Sequence, residues 1–230
     1  MFGTRILSIH SRNVRKMKVL ELFAGTRCIS KAFERKGHQT FSVEWNKKFE
    51  NITVYDDINN LTKERIIEIC GGVPDVIWAS PDCSTYSVAA VSHHRLIPNY
   101  IPKTGYANFC DKTNAYLIQL IHEVNPKLFF IENPRGVMRK MWFMHGLPRY
   151  TITYCQYGDF RMKPTDIWTN HPNPNFKPPC KRGMPCHVAA PRGSKTGTQY
   201  ISGSKNRSKI PDQLCDYIVK ISEEYIQESK

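Results

Sequence analysis

Residues 17–25 read MKVLELFAG, an apolar run that ends in a glycine. A short apolar run bounded by a turn residue is typical of a buried β-strand, and the glycine allows a tight turn after it. The residues that follow have the spacing of an amphipathic helix from Cys28 to Lys36, which Gly37 ends. Strand, turn and helix in this order predict the first unit of an α/β fold.

The same alternation continues along the chain. Further strands are predicted over 39–45, 52–55, 74–79, 128–132, 150–157 and 166–169, and helices over 62–70, 112–124 and 211–228. Repeated strand–helix–strand order predicts a doubly wound, mostly parallel sheet with helices on both faces. A chain of 230 residues is long enough for one domain of this kind with a sizeable core.

The chain is basic, with 33 Lys and Arg against 20 Asp and Glu. A solvated basic surface would give the same count, but so large an excess favours a polyanionic partner. Many of the basic residues lie in one late segment, from Lys177 to Lys209, that is rich in Gly, Pro and Ser. We expect this segment to contact a nucleic-acid backbone. Its basic residues include Lys177, Lys181, Arg182, Arg192, Lys195, Lys205, Arg207 and Lys209.

Residues 1–16 are basic and polar, and they are predicted to form a leader before the first strand. No apolar run is long enough to cross a bilayer, and no signal-peptide core precedes the first strand. We therefore expect a cytoplasmic protein without membrane contact. We also expect a monomer. Residues 17–170 and 208–230 are predicted to form the main domain, with 171–207 as a small irregular basic insertion.

The eight cysteines have irregular spacing, and most are expected to be free thiols in the core. Cys83 differs, because it lies in a loop of Pro and Ser where packing does not explain a thiol. Cys180, Cys186 and His187 could begin a zinc site, with Cys155 or His171 as further ligands. Their spacing lacks a Cys-x-x-Cys pair, and ligation of one ion by adjacent Cys and His is awkward. We therefore expect free thiols in a basic loop and no metal.

Four polar or glycine-containing segments follow predicted strands. In doubly wound sheets, ligands bind at the carboxyl ends of the strands, so these segments are expected to form one crevice. Glu44 could accept hydrogen bonds from a ribose and Trp45 could stack on adenine, although a solvated acid and a core tryptophan are the simpler alternatives. The segments are Phe23-Ala24-Gly25-Thr26, Glu44-Trp45, Ser80-Pro81-Asp82-Cys83 and Glu132-Asn133-Pro134.

Several of these segments carry a family resemblance. Glu21-Leu22-Phe23-Ala24-Gly25, with Ser30 and Phe33 after it, resembles the cofactor motif of the DNA cytosine 5-methyltransferases. Further motifs match in family order over most of residues 17–225. Residues 81–87 resemble the nucleophile loop, residues 132–134 the Glu-Asn-Val motif, residues 156–158 with Lys163 a motif that normally ends in two arginines, and residues 208–211 a degraded last motif.

The resemblance implies a Rossmann-like fold that binds S-adenosylmethionine and methylates carbon 5 of a flipped-out or single-stranded cytosine in DNA. It assigns the nucleophile to Cys83, a contact with ring nitrogen 3 to Glu132, and the holding of the base to Lys163. Asp56 competes with Asp57 for the place near adenine. The cofactor contacts implied are Phe23, Ala24, Gly25, Thr26, Glu44, Trp45, Asp57, Ile58, Ser80 and Pro81.

The chain also departs from the family pattern. Only about residues 171–207 are available for target recognition, as in a small member from phage or mobile elements. Asp82 precedes Cys83 where proline is frequent, and Pro134 replaces the usual valine. Two other functions therefore stay open at the level of sequence. One is modification of cytosine in RNA or a free nucleotide, and the other is a non-catalytic nucleic-acid-binding module that kept the fold.

Overall fold

A computed structural model describes residues 15–189, 201 and 203–228. The strands are β1 (Lys18–Leu22), β2 (Gln39–Val43), β3 (Val76–Ala79), β4 (Arg95–Leu96), β5 (Ile101–Pro102), β6 (Leu128–Pro134), β7 (Arg149–Thr153) and β8 (Pro164–Thr169). The helices are α1 (Cys28–Arg35), α2 (Lys63–Cys70), α3 (Val91–His94), α4 (Gly105–Val124), α5 (Ser204–Ser208) and α6 (Asp212–Glu228).

Six strands form a central sheet in the order β2-β1-β3-β6-β8-β7, and β4 and β5 pair separately. β1 is parallel to β2 and β3, and β3 is parallel to β6. β8 is antiparallel to both β6 and β7. The short connection between β7 and β8 leaves no room for a helical crossover, so these strands pair antiparallel. The predicted mostly parallel, Rossmann-like sheet is confirmed.

Alternate residues of the central strands enter two cores, one on each face of the sheet. On β3, Ile77 and Ala79 pack toward the core that includes α2 and α4, whereas Val76 and Trp78 pack toward the core that includes α1 and α6. All four side chains are fully buried. Burial of both faces explains why these strands are continuous apolar runs, and it leaves the strand ends as the place where polar side chains can gather.

The elements α3, β4, β5 and α5 were not predicted, and three predicted elements differ from the structure. No strand forms over 52–55, where only a bridge joins Val43 to Val54. α4 begins at Gly105 rather than near residue 112, because Thr104 caps it and accepts a hydrogen bond of 3.1 Å from the Ala107 amide. The strand predicted over 150–157 ends at Thr153, and residues 154–157 form a 3-10 turn.

Within the described residues, no helix is both long and apolar enough to span a membrane. The predicted leader lies outside the described residues except for its last two positions, and so do Arg192 and Lys195 of the basic segment.

Candidate active site

The four segments predicted to share one crevice lie together at the carboxyl ends of the parallel strands. The Ala24 amide donates to the Val43 carbonyl (3.1 Å) at the end of β2, and the Ser80 amide donates to the Leu22 carbonyl (3.4 Å) at the end of β1. The Asn133 side chain donates to the carbonyl of Pro81 (3.0 Å). These bonds fasten the ends of β1, β2, β3 and β6 to one another.

A cavity of about 300 Å³ opens between these strand ends and α4. Six residues predicted to contact the cofactor line it, and both competing acids, Asp56 and Asp57, are present. Trp45 is 65% exposed, so its ring is free to serve as a stacking surface rather than packing in the core. The six lining residues are Phe23, Glu44, Trp45, Asp57, Ile58 and Pro81.

Glu44 is buried and is held by the backbone. One carboxylate oxygen accepts from the Gly25 amide (3.0 Å), and the other accepts from the Asn46 amide (2.9 Å). Gly25 has φ of 49°, a conformation that a glycine adopts without steric cost. The turn after β1 therefore orients the acid at the end of β2, which places a fixed negative group at the wall of the cavity.

Four other predicted cofactor residues do not line this cavity. Ala24 is buried, and Gly25 acts through its bond to Glu44. The hydroxyl of Thr26 lies 3.1 Å from the Cys28 sulfur, and the hydroxyl of Ser80 accepts from the Trp78 indole (2.7 Å). These side chains support the strand ends.

The opposite wall of the cavity comes from α4, which the sequence analysis did not connect with the site. Tyr106 donates a hydrogen bond to Asp82 and so joins α4 to the residue before Cys83. Asn114 donates to the Tyr86 hydroxyl (2.9 Å), while its buried Oδ1 has no hydrogen-bond partner within the described residues. Lining residues from α4 are Tyr106, Phe109, Cys110, Thr113 and Asn114. Their positions recur every three or four residues along one face of the helix, and this spacing could have indicated the wall.

Cys83, Glu132 and Lys163 are close enough to influence one another's charge. Burial raises the pKa of the Cys83 thiol, and the carboxylates of Glu132 and Asp82 raise it further, whereas Lys163 lowers it. Glu132 is buried and accepts a hydrogen bond of 3.0 Å from the Tyr154 hydroxyl. Among these groups, Lys163 is therefore the one that favours the Cys83 thiolate, against burial and the two carboxylates.

Lys163 contributes a positive charge to this group. Its ammonium lies 4.4 Å from the centre of the Tyr154 ring and donates to the Arg207 carbonyl (3.2 Å). Burial lowers its pKa, and the charge of Glu132 opposes that effect. Its backbone φ of 25° is a strained conformation for a residue with a side chain, and such strain occurs at functional sites.

The loop after Cys83 is held against α4 by a buried arginine. Arg95 is 1% exposed and forms two hydrogen bonds with the Asp111 carboxylate, at 2.8 and 2.9 Å. The same guanidinium donates to the carbonyl and the hydroxyl of Thr85 (2.9 and 3.0 Å). Tyr86 also donates to Asp111 (2.7 Å). Arg95 therefore anchors the nucleophile loop and does not reach out toward a substrate.

A glycine allows the Glu132 strand and the nucleophile loop to approach closely. The amide of Val137 donates to the Tyr86 carbonyl (2.8 Å). A Cβ added at Gly136 would lie 2.3 Å from that carbonyl oxygen, which is far inside van der Waals contact. Gly136 is thus required for the close contact between the two segments that carry Cys83 and Glu132.

The basic segment is partly described. Lys177, Lys181, Arg182, Arg207 and Lys209 are exposed. Their contact with a nucleic-acid backbone stays a prediction.

Arg161, which was not singled out from the sequence, has a structural role, unlike the exposed basic residues. It is buried, pairs with Asp159 and donates to the carbonyls of Arg207 and Lys209 (both 3.2 Å). It fixes the approach to α6 rather than offering its charge to a ligand.

Comparison with known proteins agrees with the family resemblance of the sequence motifs. The model of the family described as C-5 cytosine-specific DNA methylase matches residues 17–141. A protein of Frog virus 3 (isolate Goorha) named "Probable DNA (cytosine-5)-methyltransferase" is 28% identical over 167 residues, which cover 67% of this chain and 71% of that protein.

Among solved structures, one match is a prophage-encoded protein of E. coli assigned as a candidate DNA modification methyltransferase. It has a TM-score of 0.50 and 18% identity, and the match covers 67% of this chain and 46% of that one. The chain thus spans about half the length of that solved structure. At this identity the likeness concerns the fold.

Proposed function

Because this chain belongs to the C-5 cytosine-specific DNA methylases, we propose that it methylates carbon 5 of cytosine in DNA, with Cys83 as nucleophile and S-adenosylmethionine as cofactor. One observation carries the proposal. Cys83, Glu132 and Lys163 interact electrostatically with one another beside a cavity whose wall includes Glu44 and Trp45. A nucleic-acid-binding module without chemistry would not need a thiol under the electrostatic influence of a carboxylate and a lysine.

Carbon 5 of cytosine is too weakly nucleophilic to accept a methyl group directly. The Cys83 thiolate adds to carbon 6, forming a sulfur–carbon bond, and the electrons of the 5,6 double bond move to carbon 5. At the end of the reaction a base removes the carbon 5 proton, the double bond re-forms, and the sulfur leaves as thiolate. The described residues do not single out that base, and water is the simplest candidate.

Glu132 assists the addition by contacting ring nitrogen 3. A hydrogen bond or proton delivered there draws electron density away from carbon 6 as the sulfur attacks. Tyr154 donates to one carboxylate oxygen and leaves the other for the base. Lys163 supplies the charge that favours the thiolate. Its role in holding the base is weaker than that of a family arginine, because lysine cannot form a two-pronged contact.

The donor set around the cavity fits S-adenosylmethionine. Glu44 suits a ribose, Trp45 suits an adenine face, and Asp57 or Asp56 suits the adenine amino group. The buried Oδ1 of Asn114 adds an acceptor at the α4 wall. When bound there, the cofactor would supply the methyl group that carbon 5 acquires, and its sulfonium sulfur would leave as a neutral thioether.

DNA is the proposed substrate, and the exposed residues Lys177, Lys181, Arg182, Arg207 and Lys209 would contact its phosphates. The cytosine must leave the stack to reach Cys83, or the DNA must be single-stranded. We assign residues 17–170 and 208–230 to catalysis and 171–207 to target recognition. A monomer in the cytoplasm stays a prediction.

The substrate is tested by methyl transfer from radiolabelled S-adenosylmethionine to duplex DNA, single-stranded DNA, RNA and dCMP, with 5-methylcytosine identified by mass spectrometry. We expect 5-methylcytosine in DNA, and none from a Cys83→Ser variant that still binds the cofactor. Label in RNA or dCMP alone would replace DNA as the substrate. Cofactor binding with no product on any of the four substrates would contradict the proposed activity.

A further inference from the structure

Four potential metal ligands meet away from the active site, at the junction between the 3-10 turn and the basic loop. They are Cys155, Cys180, Cys186 and His187, and one ligand atom from each lies within 4.8 Å of all the others. Cys155 belongs to the turn at 154–157, and the other three belong to the loop that follows β8. The three cysteines are free thiols.

The two distances from His187 match those expected for ligands of one ion, and the distance between the sulfurs of Cys180 and Cys186 is shorter than expected. The Nδ1 atom of His187 lies 3.6 Å from the sulfur of Cys180 and 3.6 Å from that of Cys186. The two sulfurs are 3.1 Å apart, too far for a disulfide bond. Zn–S bonds of about 2.3 Å and Zn–N bonds of about 2.0 Å in a tetrahedron give separations of about 3.5–3.8 Å.

The objection raised by the sequence is answered by the geometry. Cys186 and His187 are adjacent, but Nδ1 rather than Nε2 of the imidazole turns toward the sulfurs, so both residues face the same point. The missing fourth ligand, Cys155, is supplied by a turn that precedes β8. His171, the other candidate, packs its ring against Tyr225 instead.

We propose that Cys155, Cys180, Cys186 and His187 bind a structural zinc ion. Three thiolates and a neutral imidazole complete a tetrahedron and leave no open position, which is the arrangement of structural rather than catalytic zinc. The Gln156 amide lies 3.7 Å from the Cys186 sulfur and is placed to support that ligand. The site would carry a net charge of −1, and the exposed Lys181 and Arg182 beside it balance that charge.

The ion would join the basic loop to the turn that carries Tyr154. The two are already linked by the bonds from the Cys180 amide to the Thr153 hydroxyl (2.8 Å) and from the Lys177 amide to the Tyr157 hydroxyl (3.0 Å). This inference does not depend on the proposed methylation, because it concerns only the folding of the loop.

The test is the metal content of the full-length protein, expressed with zinc and purified without chelators. We expect about one zinc per chain by plasma mass spectrometry. Cys155→Ser and Cys180→Ser should lower the content at least about tenfold, whereas Cys70→Ala, which changes a buried thiol elsewhere, should keep it. His187→Cys restores four ligands and should retain zinc, but His187→Ala should not.

Cobalt substitution gives a second readout that does not require the variants to be stable. Cobalt bound to the wild-type chain should show the intense visible bands of a tetrahedral site with thiolate charge transfer. The proposal is overturned if the wild-type protein holds less than a tenth of an equivalent of any metal and its cobalt-treated form shows no such bands. It is also overturned by a Cys180–Cys186 disulfide in the purified protein, or by full zinc content in Cys155→Ser and Cys180→Ser.

Discussion

The active site and the cysteine cluster are neighbours along the chain, since Tyr154 contacts Glu132 and the next residue, Cys155, belongs to the cluster. They differ in the groups that lie beside the sulfur. Burial raises the pKa of the Cys83 thiol, and the carboxylates of Glu132 and Asp82 raise it further. In the cluster, hydrogen bonds from His187 and then Cys180 lower the pKa of Cys186 to about 7.

This difference separates two uses of cysteine. A nucleophile that stays protonated until a substrate arrives is protected from side reactions, and it becomes a thiolate only when charges around it change. Three thiols and an imidazole whose ligand atoms lie within 4.8 Å of one another are suited to a metal. The neighbourhood, rather than the residue type, distinguishes the two.

The largest effect is expected from substituting one cysteine of each site, Cys83 in the active site and Cys155 in the cluster. Cys83→Ser should lower methyl transfer by at least about a thousandfold and leave the zinc content unchanged, because the nucleophile alone is lost. Cys155→Ser should lower the zinc content and retain a measurable rate of methyl transfer. Both are checked by measuring turnover and metal content on the same preparations. If each variant lost both properties, the two sites would not be separable.

The next effect concerns what holds each site in place. Arg95→Met leaves Asp111 partly buried without its partner, so we expect the free energy of unfolding to fall by about 3–5 kcal/mol. Urea denaturation followed by circular dichroism measures this. The zinc content should not change, because Arg95 anchors only the nucleophile loop. An exposed matched control, Arg65→Met, should cost less than about 1 kcal/mol.

A smaller, signed effect is expected in the pH dependence of kcat/KM. Its acid limb should follow ionisation of Cys83, whose pKa Lys163 lowers and Asp82 raises. Lys163→Met should therefore move this limb to higher pH and Asp82→Asn to lower pH, each by about one pH unit, or about tenfold in rate at a fixed pH on the limb. Shifts of the same sign in both variants would contradict the electrostatic assignment.

The smallest effect is expected at the residue between the two sites. Tyr154→Phe removes the hydrogen bond to Glu132, so kcat should fall by about three- to tenfold, corresponding to about 1 kcal/mol. Steady-state kinetics with saturating cofactor measures the loss. The metal content should be unchanged, since the phenol does not belong to the cluster. A loss of zinc in this variant would mean that the turn, rather than the hydroxyl, had been disturbed.

Local patterns in the sequence predicted much of the fold and of the site. The parallel strands are apolar because both faces are buried, and the strand-end residues meet because parallel strands end at one edge. The part of the wall formed by Tyr106 and Phe109 was not predicted, because Thr104 starts α4 earlier than the apolar pattern suggests. The anchoring role of Arg95 also depends on a contact with Asp111 that no spacing rule indicates.

The cysteine cluster shows the same limit. Cys155 and Cys180 are separated by the whole of β8, and only the antiparallel pairing of β7 with β8 and the return of the loop bring them together. Motif rules for zinc rely on pairs of ligands close in sequence. Cys155 was therefore only one of two candidates for a further ligand, and the irregular spacing led to the expectation of no metal.

The most direct measurement is trapping of the covalent intermediate. The protein is incubated with S-adenosylmethionine and DNA containing 5-fluorocytosine, whose fluorine prevents the final elimination, and the denatured mixture is digested and analysed by mass spectrometry. We predict a methylated adduct on Cys83 that requires the cofactor and is absent in Cys83→Ser. An adduct on another cysteine, or methylated DNA formed at an undiminished rate by Cys83→Ser, would contradict the assignment of Cys83 as the nucleophile.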